Sequence, residues 1–506
     1  MQEGEKSSIE REAAAKIIGR VREKEILSQL FDSKTSEFIA VYGRRRVGKT
    51  FLIKHLMDSF PCLFFHVTGI QKGSSKEQLE EFAKQIGTTF YQSPSIIPRA
   101  RWRDAFEDLT VAMRSIPKEQ KIVLFLDEFP CMATPRSNLL TALEFYWNRY
   151  WVFDDRVKLI VCGSSASWII EKIINNKGGL HNRVTRTLQL KPFSLCEAKS
   201  FLESKHIQLN HRQILDLYMV LGGVPLYWSF VRKGLSAHQT IDELCFQGDG
   251  PLVNEFGRLF ASLFEEPKPY LHLIRTIAQH RCGIGQAALI AEAKLSDGGG
   301  TVRRLQQLEE AGFVTSLVPY GHKDKGLYYQ IDDEYSLFYL YWIEPNLKSL
   351  AKKSSRTGFW LSQASRPGWK SWSGLAFEAI CYKHIDLIRR ALRLDPGSIA
   401  GTWRYAPRPK SKEIDDQVEG AQIDLLFDRP DGAITLCEIK CSEGPFSIDK
   451  ATSRDLQRKI QVFERQARTN KQLFFSMITP FGLKPTMYSE DLITNEVTLE
   501  DLFKET

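Results

Sequence analysis

The sequence has no run approaching the 18 or so apolar residues that a membrane-spanning helix requires, so no such helix is expected. Its opening, MQEGEKSSIEREAAAK, is polar where a secretory signal carries an apolar centre, and a cytoplasmic chain is expected. The nine cysteines are scattered singly. Cys437 and Cys441 flank a charged strand but have no second pair to complete a zinc site, which leaves reduced, structural thiols. Repeats and low-complexity tracts are missing as well, so repeat architectures are excluded. Charge of one sign is weak: 69 Lys and Arg against 61 Asp and Glu give +8, which favours a polyanionic partner without demanding one.

What is there is enough chain for several cores. At 506 residues, and with about 150 residues per domain, three or four units are expected. Up to residue 193 the buried-strand patterns EFIAVYG, CLFFHVTG, KIVLFLDEF and VKLIVCGSS alternate with helical stretches, which predicts a parallel sheet covered by helices. Residues 194–265 turn helical around the break LGGVPLYW, as a lid would. In 266–345, helical patterns precede a hairpin-like stretch, VTSLVPYGHKDKGLYYQI, in the order of a winged helix-turn-helix. Residues 346–373 mix Lys, Arg, Ser and Trp and read as a connector lying across a surface. Residues 374–506 return to mixed helix and strand.

Gly43-Arg44-Arg45-Arg46-Val47-Gly48-Lys49-Thr50 follows the strand EFIAVY and opens the helical stretch FLIKHLM, the context a P-loop requires. Its backbone N–H groups would face phosphate oxygens at a helix N-terminus. Lys49 would neutralise the β- and γ-phosphates of ATP, and the Thr50 hydroxyl would ligate Mg2+. KIVLFLDEF ends in Asp127, placed to hold Mg2+ through water, and Glu128, placed to polarise the attacking water. Ser164 and Ser165 end the next strand and could touch the γ-phosphate or that water.

In the C-terminal part, AQIDLLFDRPDGAITLCEIKCSE reads as a hairpin carrying Asp424 on one strand and Glu438 and Lys440 on the other. A simple four-residue turn would place Asp424 opposite Cys437, whereas a bulge at Gly432 would place it opposite Glu438, and the sequence leaves both registers open. If the acids converge they hold a divalent cation, Mg2+ or Mn2+, that activates water against a phosphodiester, with Lys440 adding positive charge. Glu378, on the helical segment GLAFEAICYKHI, could project towards the same point. The alternative is an amphipathic hairpin with a surface ion pair. Downstream, Lys450, Arg454, Gln457 and Lys459 on a basic helix are available to a nucleic acid backbone.

With these motifs in hand the chain resembles the AAA+ ATPases, and more closely the archaeal-type ATPases whose AAA+ core precedes a winged helix and often a nuclease-like domain. The markers are Ile18-Gly19-Arg20, the P-loop, Asp127-Glu128, Gly163-Ser164-Ser165 and Leu221-Gly222-Gly223-Val224-Pro225. The set Glu378, Asp424, Glu438 and Lys440 is similar to that of the PD-(D/E)XK nucleases, although Ile423 stands where Pro often does. The resemblance implies an α/β fold class: a P-loop AAA+ core with parallel sheet and helical lid, a winged helix-turn-helix, and a C-terminal α/β restriction-endonuclease-like domain. It implies that Ser164 is a first sensor, that Ile18–Arg20 border the adenine, and that Arg183 is an arginine finger acting in a homo-oligomer. Here His181-Asn182 depart from the family's pattern, and an internal salt bridge is the other reading of Arg183.

Thr301 opens the recognition-helix candidate, which carries Arg303 and Arg304, and His322, Lys323 and Lys325 cap the wing. These residues either contact DNA or belong to an architectural module. Two functions follow: an ATPase coupled to a metal-dependent nuclease acting on DNA, or an ATP-driven DNA-binding or signalling switch whose nuclease-like domain does not cleave.

Overall fold

The computed structural model describes residues 17–93, 96–280, 283–296, 298–321, 327–350, 358–406 and 420–505. The chain divides into two compact units, Met1–Phe193 with Val224–Leu226, and Ser194–Gly223 with Tyr227–Thr506. In the first, β1 (Glu37–Tyr42), β2 (Cys62–Thr68), β3 (Lys121–Asp127), β4 (Val157–Gly163) and β5 (Arg186–Gln189) form one sheet in the order β2-β3-β4-β1-β5. Every pairing in it is parallel.

Side-chain alternation divides each central strand between two apolar layers. Phe38, Ala40, Leu124, Leu126, Leu159 and Val161 pack on one face, under helices Ser75–Tyr91, Trp102–Arg114 and Leu139–Arg149. Ile39, Val41, Val123, Phe125, Ile160 and Cys162 pack on the other, under helices Val21–Asp32 and Lys49–Met57. Continuous apolar strands of this kind bury both faces, so the polar strand ends are left as the place where chemistry can occur.

The second unit opens on helices whose starts are written in the sequence. Ser194 caps Leu195–Ser204 and Ser236 caps Ala237–Phe246, each in a reciprocal capping box, while Asn210 caps His211–Leu221. Next come helices Pro267–Ala278, Gln286–Glu292 and Gly299–Glu310, with β6 (Ile284–Gly285), β7 (Val314–Leu317) and β8 (Tyr328–Ile331) pairing antiparallel in the order β6-β8-β7.

Residues 346–373, expected to be a surface connector, are in part core. Trp360, Trp369 and Trp372 are buried, and Trp360 stacks on Phe246 with ring centroids 5.3 Å apart. The buried Asp242 accepts from the N–H groups of Gly358 and Trp360 at 2.8 and 2.7 Å, starting helix Phe359–Ala364. The Lys, Arg and Ser of this stretch hid three aromatic anchors.

The chain ends in a mixed sheet ordered β15-β13-β11-β10-β9, formed by β9 (Ile399–Tyr405), β10 (Ala421–Asp428), β11 (Ala433–Ile439), β13 (Gln472–Ile478) and β15 (Asn495–Val497). A short pair, β12 (Phe446–Ser447) and β14 (Leu483–Lys484), accompanies it. Helix Lys450–Ala467 makes the crossover between the parallel neighbours β11 and β13. Leu456, Val462 and Phe463 from that helix pack on Ile423, Leu436 and Phe475 of the sheet. Among the described residues no helix is long and apolar enough to cross a membrane.

Candidate functional site

The strand-to-helix turn after β1 needs backbone that only glycine accepts easily. Gly43 sits at φ +150°, and a Cβ there would meet the Leu190 carbonyl oxygen at 2.3 Å. Gly43→Ala is therefore expected to destabilise the first unit by about 1–3 kcal/mol, because backbone rather than a movable side chain stands in the way. A thermal melt unchanged from wild type would contradict this.

Past that turn, Lys49 is buried and its Nζ donates to the carbonyls of Gly43 and Arg44, both at 3.0 Å, and to Ser164 Oγ at 3.1 Å. Burial pulls its pKa down, while the charges of Glu128 and Asp127 oppose that. The Ser164 hydroxyl in turn donates to Glu128 Oε1 at 2.6 Å. A chain of contacts thus runs from the P-loop lysine through a β4 serine to the β3 acid. Glu128 holds left-handed backbone, φ 44°, which for a non-glycine residue is strain of the kind found at functional sites.

Thr50 Oγ1 donates to Asp127 Oδ2 at 2.8 Å, and the Glu128 N–H donates to Asp127 Oδ1 at 3.0 Å. Burial would raise the Asp127 pKa, but hydrogen bonds from His66 and Thr50 outweigh it and hold the carboxyl below its ordinary value. Asp127 is therefore an anion beside a threonine hydroxyl, a donor set suited to Mg2+. His66, whose Nε2 lies 3.9 Å from Asp127 Oδ2, was missed in the sequence reading. It comes from the neighbouring strand β2, where it looked like one polar residue in an apolar run.

Arg44 is buried, Arg45 and Arg46 are half-buried, and Val47 is buried with its carbonyl accepting from Arg20 at 3.2 Å. Arg20 also donates to the Lys191 carbonyl at 2.7 Å and lies over the Phe193 ring, so it braces the back of the loop. Arg183 is exposed and makes no ion pair among the described residues.

The second cluster depends on a register that the sequence left open. Leu425 pairs with Cys437 and Leu426 with Leu436, and Arg429 N–H closes the hairpin on the Ala433 carbonyl at 2.9 Å. Continuing that register puts Asp424 opposite Glu438. The reason is the turn: Gly432 takes φ +81°, adding the left-handed residue that a bulged hairpin requires. On the other side, β10 shifts register against β9 between Ile423 and Leu426, so a bulge falls at Asp424–Leu425 and re-aims the acid. The Ile439 N–H donates to Asp424 Oδ2 at 2.9 Å.

Glu438 is buried. Its Oε1 accepts from Lys440 at 2.7 Å and from Lys459 at 2.6 Å, while its Oε2 has no partner among the described residues. Lys459 corrects the sequence reading. Rather than meeting a nucleic acid backbone from a wet helix face, it turns inward to the acid, whereas Lys450, Arg454 and Gln457 stay exposed. Its position on the amphipathic helix, three residues past Leu456 on the buried face, was the available signal.

Glu378 reaches the cluster from helix Pro367–Lys383. The Tyr382 hydroxyl lies 2.9 Å from Glu378 Oε1 and 2.5 Å from the Asp424 carbonyl. A carbonyl only accepts, so the single tyrosine proton goes to Asp424, and the contact to Glu378 is best satisfied by a protonated carboxyl. Burial first, then the charge of Asp424, raises Glu378 to about 7; burial and the charge of Glu438 raise Asp424 to about 6.

These shifts fix a sign. Raised carboxyl values mean that the fold prefers the protonated forms, so their contribution to stability is complete below about pH 4 and is lost as pH rises through 6 and 7. In chelator, the melting transition of the C-terminal unit is expected to fall from pH 5 to pH 8, and Asp424→Asn is expected to flatten that fall. Equal slopes for both proteins would contradict the assignment.

Among the described residues no three His, Cys, Asp or Glu groups close into a metal cage. The acids are neighbours, but two lysines and a tyrosine occupy them. Nearby, Arg212 Nη1 donates to the Ser442 carbonyl at 2.8 Å and pins the loop after Lys440. On helix Gly299–Glu310, Arg303 is exposed and Arg304 half-buried, with Thr301, Leu305 and Leu308 inward. His322, Lys323 and Lys325 lie outside the described residues.

Residues 18–229 match the model of a family described as an ATPase domain predominantly from Archaea, so this segment is similar to an archaeal-type ATPase domain. An uncharacterized protein of Methanocaldococcus jannaschii is 24% identical over 443 residues, covering 87% of this chain and 91% of its own length. Among solved structures, the Walker-type ATPase of Pyrococcus abyssi is 17% identical with a TM-score of 0.45, over 64% of this chain and 96% of that one. The ORC2 protein of Aeropyrum pernix is 16% identical with a TM-score of 0.39, over 66% of this chain and 95% of that one.

Proposed function

We propose that this chain is an AAA+ ATPase whose C-terminal unit is a metal-dependent nuclease acting on DNA, with nucleotide turnover controlling cleavage. The observation that carries the nuclease reading is the convergence of Asp424 and Glu438 beside Glu378 and Lys440. Burial and mutual charge raise Glu378 and Asp424 above the ordinary carboxyl values, and one buried oxygen of Glu438 has no partner among the described residues. Like-charged buried acids are costly unless a cation joins them. Mg2+ or Mn2+ held by Glu378, Asp424 and Glu438 would supply an activated water and steady the charge that develops on phosphate. Lys440 and Lys459 donate to Glu438 Oε1 and orient it, and Lys440 is near enough to assist the phosphate.

In the ATPase, Lys49 binds phosphate, Thr50 and Asp127 hold Mg2+, and Glu128 orients water with Ser164 beside it. Arg44, Arg45, Arg46 and Val47 complete the phosphate loop between Gly43 and Gly48. The exposed Arg183 acts on a neighbouring copy in a homo-oligomer. The helices and sheet of 266–345 serve as a winged helix that meets DNA through Arg303 and Arg304.

The second reading, a DNA-binding or signalling switch that does not cut, is favoured by one observation: two lysines already neutralise Glu438. The deciding experiment incubates the purified chain with labelled linear and circular DNA plus Mg2+ or Mn2+, with and without ATP, beside Asp424→Ala and Lys49→Ala. Cleavage lost in Asp424→Ala supports the nuclease. ATP hydrolysis with no cleavage under any condition supports the switch.

A further inference from the structure

Helix Pro367–Lys383 presents a half-buried stripe, Leu375, Glu378, Ala379 and Tyr382, at helical spacing. Two recesses share this stripe's two polar members. The first, about 480 Å³, is walled by Tyr341, Trp372 and Tyr382, with Arg275 and His280 also lining it. The second, about 350 Å³, is lined by Tyr328, Tyr405, Arg404 and Gln422. Glu378 and Tyr382 border both, so the helix member of the acid cluster stands on the wall the two recesses share.

Each recess offers an accessible ring. Tyr341 is 43% exposed, far more than its core neighbours Trp342 and Tyr339. Tyr328 and Gln330 take the outward positions of β8, while Tyr329 and Ile331 point into the core. Arg404 is exposed and makes no ion pair among the described residues, and it stands opposite Gln422 in the β9–β10 ladder.

We propose that these recesses receive unpaired bases on either side of the phosphate presented to the acid cluster, so that the substrate of this site is a single strand or a single-stranded segment. The inference rests on the nuclease reading and names its substrate class. Three features carry it. The recesses have the volume of small-molecule pockets, which suits a base or nucleotide and not the breadth of a duplex. Rings in the two recesses that border Glu378 offer stacking that any base can use, since every base has a π-face. Arg404 supplies an exposed guanidinium for the backbone, with no ion-pair partner among the described residues. A duplex, whose bases are stacked on one another, could not use the rings without first being opened.

The test uses the full chain in Ca2+, with Mg2+ and Mn2+ left out, and follows the anisotropy of labelled single-stranded DNA, single-stranded RNA and a blunt duplex of the same sequence. A single strand is expected to bind at least about tenfold more tightly than the duplex. Tyr328→Ala and Tyr341→Ala are each expected to weaken that binding about tenfold, with the Phe variants restoring it, because stacking and not the hydroxyl is required. Basal ATP hydrolysis should be unchanged in all four. The DNA and RNA arms identify which sugar the site takes. Duplex binding equal to single-strand binding, or alanine variants that bind like wild type, would overturn the proposal. Duplex cut in Mg2+ without dependence on either ring removes this inference and leaves the nuclease. Ring-dependent strand binding with no cutting removes the nuclease and leaves a strand-binding site.

Discussion

Lys49→Ala is expected to lower ATP hydrolysis about 10²–10³-fold, the cost of removing one preorganised charge-stabilising donor. The lysine is buried and touches the two loop carbonyls and Ser164, so its position is fixed before nucleotide arrives. ATP need only exchange phosphate oxygens for the carbonyls of Gly43 and Arg44. Because burial disfavours the ammonium, its removal should cost the free protein little stability. Binding is where the loss should appear. For wild type, ATP at a hundred times its dissociation constant should stabilise the first unit by about 2.7 kcal/mol, and the variant should lose that shift. A variant that still melts higher with ATP would contradict the role assigned to Lys49. So would full hydrolysis.

Asp424→Ala should produce the other large effect, a fall in DNA cleavage of about 10²–10³-fold. Its expected effect on stability is the opposite of the usual one for a buried charge. Asp424 is raised by burial and by Glu438, so above pH 7 its removal should stabilise the chelated protein. Glu438→Gln should destabilise it instead, by about 2 kcal/mol, because Lys459 and the half-exposed Lys440 lose their counter-charge. The two substitutions should therefore abolish cleavage alike and move the melting transition in opposite directions. Loss of cleavage with the same stability change in both would mean that the acids act through folding alone.

Much of the ATP site was legible because its chemistry is local in sequence. Gly43 to Thr50 is one turn between a strand and a helix, and the carboxylates end an apolar run, so residue order and geometry coincide. His66 was not legible, since its role exists only because β2 lies beside β3. The nuclease candidate was readable as residue types but not as a site. Its four residues span more than sixty positions, and the pairing of Asp424 with Glu438 turns on one residue of register at Gly432 and on a bulge against β9.

By itself, then, the sequence determined the alternation of buried strands and helices, the phosphate loop, and the identities of the acids. Periodicity, capping and turn chemistry act over a few residues, and a reader of the chain can see that far. Tertiary structure alone decided that Lys459 turns inward to Glu438, that Trp360, Trp369 and Trp372 make a supposed connector into core, and that Tyr382 joins Glu378 to Asp424. Those contacts cross from one element to another. They are settled by which apolar faces must be buried together, and no local pattern records that choice.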